Sequence, residues 1–209
     1  MYYGERLNSI SHLVGAGLAL IGLGALLAIS IQIGDPMLIF SFSIFGLALV
    51  LMYAMSTLYH SFRMPKLKNL FQLLDHIAIY VLIAGTYTPF TLISLREGNG
   101  WQIFLLVWAL AAMGIFSEIF LSGRLVKIGQ MLIYLGMGWV GAVEFSDLRV
   151  AISDTGLYWL IAGGLAYTLG VVFYLLDCAR MLTHAHGIWH FFVLVGSVCH
   201  FVSTIGYVR

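Results

Sequence analysis

Charge is what this chain has least of. Only 9% of its 209 residues are Asp, Glu, Lys or Arg, against about a quarter in an ordinary soluble domain. Cysteine is scarce as well, and two in the whole chain cannot staple a secreted disulfide scaffold. Ten basic and nine acidic residues balance to a net charge of +1, which offers no field to nucleic acid. Three prolines leave long stretches with little to break a helix. What fills the chain is apolar, at 61% of residues and a mean hydropathy of +0.99. A soluble domain of this length leaves roughly a third of its unfolded surface in water. The chain has too few polar groups to cover that surface, so its composition is that of an integral membrane protein.

A spanning helix needs about 20 mostly apolar residues. Such runs fall at about 10–33, 37–60, 71–95, 101–121, 128–145, 156–177 and 187–207. Turn-forming clusters separate them: Gly34-Asp35-Pro36, Arg63-Met64-Pro65-Lys66, Arg96 to Gly100, and Ser122-Gly123-Arg124. The fifth run is the weakest, because Glu144 interrupts it. Trp101, Trp139, Tyr158, Trp159 and Tyr207 stand near run ends, where interfacial aromatics belong. The expected fold is therefore all-α: a single transmembrane domain of seven helices over residues 1–209. Pro89 is expected to kink the third helix. Gly22, Gly24, Gly136, Gly138, Gly163 and Gly164 are expected at close helix contacts.

Arg6, Arg63, Lys66, Lys68, Arg124, Lys127 and Arg180 gather on one side of that topology. The positive-inside rule then puts the N-terminus in the cytoplasm and the C-terminus outside. The first run is too long for a removable signal peptide and is expected to remain. This orientation is opposite to that of G-protein-coupled receptors. A retinal pump is excluded too, since residues 187–208 hold no lysine for a Schiff base.

Ionisable groups inside a bilayer are costly unless paired or functional, so their depth is informative. Glu5, Asn8 and His12 enter the first helix from the cytoplasmic side. His60 closes the second there, Asp75 and His76 open the third, and His186 and His190 open the seventh. Four helices thus converge on one polar layer. His186 and His190 lie four apart, on one helix face. Such a pair alone more often packs than binds metal. With His60 from another helix it makes a three-nitrogen set, the pattern of catalytic zinc with one position open. Asp75 either binds the metal directly or holds its water as general base. Ser56 lies one turn before His60 on the same face. Glu5, Asn8 and His12 share a face of the first helix and are expected behind the ligands or toward a substrate. His76, His200 and His184 are expected to be structural or solvated, Glu118 to snorkel, and Cys178 and Cys199 to be unpaired.

These residues form ordered motifs: Glu5-x-x-Asn8-x-x-Ser11-His12, Ser56-Thr57-Leu58-Tyr59-His60, Asp75-His76 with Ala84 to Phe90, and His186-Gly187-Ile188-Trp189-His190 followed by His200-Phe201. Together they resemble the hemolysin III family of bacterial membrane proteins, relatives of the progestin and adiponectin receptors and, more distantly, of alkaline ceramidases. The resemblance covers essentially the whole chain. It implies zinc on His60, His186 and His190, with Asp75 and Ser56 holding the water or a substrate carbonyl. It also implies a place in the bacterial inner membrane.

Three functions are consistent with this set. The first is a zinc-dependent hydrolase of a lipid amide or ester, serving lipid homeostasis, with a membrane lipid as substrate. The second is a non-enzymatic sensor of membrane fluidity with structural zinc. The third is a pore-forming cytolysin, which the outer halves of the helices disfavour because they offer almost no ionisable lining.

Overall fold

The computed structural model describes residues 4–209, the side chain of Arg124 excepted. The described residues form seven α-helices and no strand. They are α1 (Arg6–Ile33), α2 (Pro36–Ser61), α3 (Pro65–Pro89), α4 (Gly100–Phe120), α5 (Arg124–Trp139), α6 (Phe145–Cys178) and α7 (Ala185–Tyr207). The expected turn residues set several of these ends. Gly34 closes α1 in the left-handed conformation, with φ 80°. Asp35 then caps α2 by accepting from the Met37 N–H at 2.8 Å, with Pro36 in the first turn. After Pro89, which has no N–H to give, the ladder slips into a π-helical turn over Phe90–Ser94. This is the form the expected kink takes.

Among the described residues, six stretches are long and apolar enough to cross a membrane. The difference from the expected seven lies in the fifth and sixth runs, which form one stretch of 54 residues, Leu125–Cys178. Straight, it would extend roughly 80 Å at 1.5 Å per residue, more than twice the ~30 Å hydrocarbon core. It is not straight. A 3-10 turn spans Val140–Glu144, and Ser153 leaves helical geometry with φ 63°. The Trp139 indole N–H donates to Thr168 Oγ1 at 3.1 Å, so the chain doubles back between them. Tyr87 fastens the same break to α3. Its hydroxyl donates to the Gly138 carbonyl at 3.0 Å and accepts from the Gly141 N–H at 2.9 Å.

In the bundle α1 packs along α2, α2 along α3 and α6 along α7, while α1 also meets α7. Leu26, Phe42, Phe45 and Tyr80 fill the centre, and Ile21, Leu106 and Leu132 face outward, as a lipid solvent allows. Of the glycines expected at close contacts, Gly22 lies against the Phe201 ring, which would stand 2.9 Å from an added Cβ, and Gly163 lies against the His200 ring. Gly24, Gly136 and Gly138 have nothing within 4 Å of where a side chain would begin, so they do not serve close packing.

Candidate metal centre

The last turn of α2 and the first turns of α7 meet in one layer. His60 comes from the former, His186 and His190 from the latter. Their ring centroids form a nearly equilateral triangle: 5.0 Å from His60 to His186, 4.9 Å from His60 to His190, and 4.9 Å from His186 to His190. A nitrogen of each lies within 4.8 Å of the others, so the group could hold a metal ion. His60 and His190 are 2% and 1% exposed. Gly187 makes the layer compact. Leu7 fills the place where a side chain would stand, and Asn8 Oδ1 lies 3.3 Å from where its Cβ would be.

Each imidazole commits its Nδ1 elsewhere. His60 Nδ1 donates to Glu5 Oε2 at 2.7 Å, and His186 Nδ1 to Asp177 Oδ2 at 3.0 Å. His190 Nδ1 donates to the Asn8 carbonyl at 3.1 Å, with the Ser11 hydroxyl 3.3 Å away. Metal-binding histidines are commonly oriented in this way, one ring N–H on a carboxylate or carbonyl. Each bond fixes a tautomer that leaves the Nε2 lone pair free, and His60 Nε2 is buried without a partner. Burial pushes the Glu5 carboxyl up. The hydrogen bonds from His60 and Asn8, with the nearby Lys68 ammonium, outweigh it and hold the group at about 2. Glu5 is therefore a carboxylate acceptor at physiological pH.

Asp75 is buried beside this triangle, close enough to His60 for their charges to interact. The buried Ser56 hydroxyl neighbours its carboxylate, and Asp75 Oδ1 is left without a partner. Asn8 completes the rim, its amide donating to Glu5 Oε2 at 2.8 Å. His12 is fully buried and stacks on His190 with ring centroids 3.6 Å apart, and neither of its nitrogens has a partner. All eight residues singled out in the sequence thus stand together.

Others lie apart. His184 is exposed in the α6–α7 turn, His200 Nε2 donates to the Leu160 carbonyl at 3.1 Å, and both cysteines are free. Glu118 does not snorkel. Its side chain is 9% exposed, faces His76 Nδ1 at 3.2 Å and accepts from the Tyr134 hydroxyl at 3.2 Å. The residue missed was Asp177, whose nine-residue offset from His186 crosses a turn and follows no helical period.

One turn deeper than Ser56, Asp75 and His190, a cavity of about 110 Å³ opens among Met52, Ile79, Trp189 and Val193.

The family model described as haemolysin-III related matches residues 2–201. Hemolysin-3 of Bacillus cereus is 40% identical over 204 residues, 98% of this chain and 91% of that protein. The hemolysin-3 homolog of Bacillus subtilis (strain 168) is 38% identical over 203 residues, 97% of this chain and 93% of its own length. The human monocyte to macrophage differentiation factor is 30% identical over 167 residues, 77% of this chain and 67% of that relative.

Proposed function

The chain belongs to the haemolysin-III related family, and from that premise we propose that it is a zinc-binding membrane protein that hydrolyses a lipid amide or ester in membrane lipid homeostasis. The observation that carries this reading is the donor set: three histidines with every Nδ1 committed to an acceptor, beside a carboxylate oxygen with no partner. Three imidazole nitrogens suit zinc, and three protein ligands leave a fourth position for chemistry. The same reading takes the doubling back at Trp139 and Thr168 as a seventh crossing. The N-terminus then lies in the cytoplasm, the C-terminus lies outside, and the chain resides in the bacterial inner membrane.

Zinc, when bound, supplies Lewis acidity for a carbonyl and a water nucleophile at neutral pH. The chain's own groups do the rest. His60, His186 and His190 hold the ion. Asp75 Oδ1 takes the proton from the attacking water and returns it to the leaving amine or alcohol. Ser56 keeps that carboxylate in place. The cavity beyond Met52 and Ile79 receives the acyl chain, and His12 faces the substrate's polar group. A sensor of membrane state with structural zinc is the second reading. The three-histidine set favours the enzyme over it, since it leaves a position open where a structural site has four protein ligands.

Metal content is the direct test. Protein purified in mild detergent without added metal is expected to carry about one zinc per chain, lost in His186→Ala. Wild type without stoichiometric metal would make the histidine layer a packing or proton-sensing cluster and turn the balance to the sensor. Gly187→Leu is a second test. It forces α1 away from α7 at Leu7 and Asn8, whose carbonyl orients His190. Zinc affinity, read by chelator competition, is expected to fall by about tenfold or more. An unchanged affinity would mean that the α1 contacts do not shape the site.

A further inference from the structure

The three histidines are not held alike. His60 and His190 are buried and take their partners from the start of α1, Glu5 and the Asn8 carbonyl. His186 is different. Its side chain is 25% exposed, and its hydrogen-bond partner, Asp177, is 42% exposed on the last turn of α6. Between the two runs a short turn in which Arg180 and His184 both adopt positive φ, 55° and 65°. Non-glycine residues rarely do so. That conformation brings the α6 end back onto the α7 start, which is what lets Asp177 reach His186.

We propose that Asp177 is a positioning residue for His186, and that this pair controls how fast the metal leaves the site. The inference rests on the zinc reading above. By accepting the Nδ1 proton, Asp177 fixes the tautomer that presents Nε2, and its negative charge strengthens that nitrogen as a donor. His60 and His190 cannot turn away without moving rings that are themselves buried. His186 can swing on the exposed side by giving up a single half-exposed contact. The first ligand to release, and the last to close on an incoming ion, is then His186. The route runs past the α6–α7 turn rather than through the apolar interior.

The test compares zinc dissociation into excess chelator for the full-length protein and for Asp177→Asn, Asp177→Glu and Glu5→Gln. Asp177→Asn is expected to weaken zinc binding by about 10- to 100-fold, chiefly through faster dissociation. Asp177→Glu recovers part of the loss. Thermal stability of the metal-free form stays unchanged, because the side chain is half-exposed. A merely structural role would instead lower metal-free stability and show no recovery with Glu. Glu5→Gln weakens binding too, but with a smaller share of the effect in the dissociation rate. Wild type that holds zinc while Asp177→Asn matches it in affinity and rate, within about twofold, overturns the role of Asp177 alone. Wild type that holds no zinc overturns the metal reading and this inference with it.

Discussion

His190→Ala is expected to cost the protein its metal outright. Structural zinc sites bind with roughly 10–16 kcal/mol, which shared over four ligands is about 2.5–4 kcal/mol for one, on the order of a hundredfold or more in Kd. The loss at His190 should sit at the high end. Its ring is 1% exposed, stacks on His12 and is locked by the Asn8 carbonyl. Truncation removes that buried donor nitrogen, and no other imidazole of the layer stands where it could replace it. Elemental analysis beside the wild type reads the outcome, with His184→Ala as the control, since His184 is exposed and outside the triangle. Full occupancy in His190→Ala would remove it from the ligand set and leave the helix spacing of His186 and His190 as packing.

Much of this arrangement is visible in the sequence because a bilayer imposes strict rules. Backbone groups must be satisfied within each segment, so apolar runs of the right length are helices. Charged groups are confined to where they are useful, so Glu5, Asn8, His12, His60, Asp75, His186 and His190 reveal a layer before any coordinates do. The rules fail where registry between helices decides. Glu118 has the sequence of a snorkelling end residue, yet the facing of α3 and α4 sets it on His76, with Tyr134 from α5 completing the pair. Asp177 reaches His186 only through two left-handed residues, Arg180 and His184, neither of them the glycine that would have signalled such a turn. The break between α5 and α6 carries no proline. It is fixed instead by Tyr87 from another helix and by Ser153, whose backbone no local propensity predicts.

Asp75→Asn separates the two roles left open for that carboxylate. The amide has nearly the same shape, so the packing of this buried position is preserved. It cannot accept a proton from water at neutral pH. If Asp75 serves as general base, zinc content stays near wild type while hydrolysis of a lipid amide or ester falls by about 10²–10⁴. If Asp75 is instead a direct ligand, zinc is lost together with turnover, and elemental analysis reports it. Unchanged turnover with zinc in place would take Asp75 out of the mechanism. The first outcome is expected, because the three histidines already make a catalytic ligand set without a fourth protein donor. A base held close to the metal but not on it leaves the fourth position to water and the substrate carbonyl. That separation distinguishes an open, working site from a closed structural one.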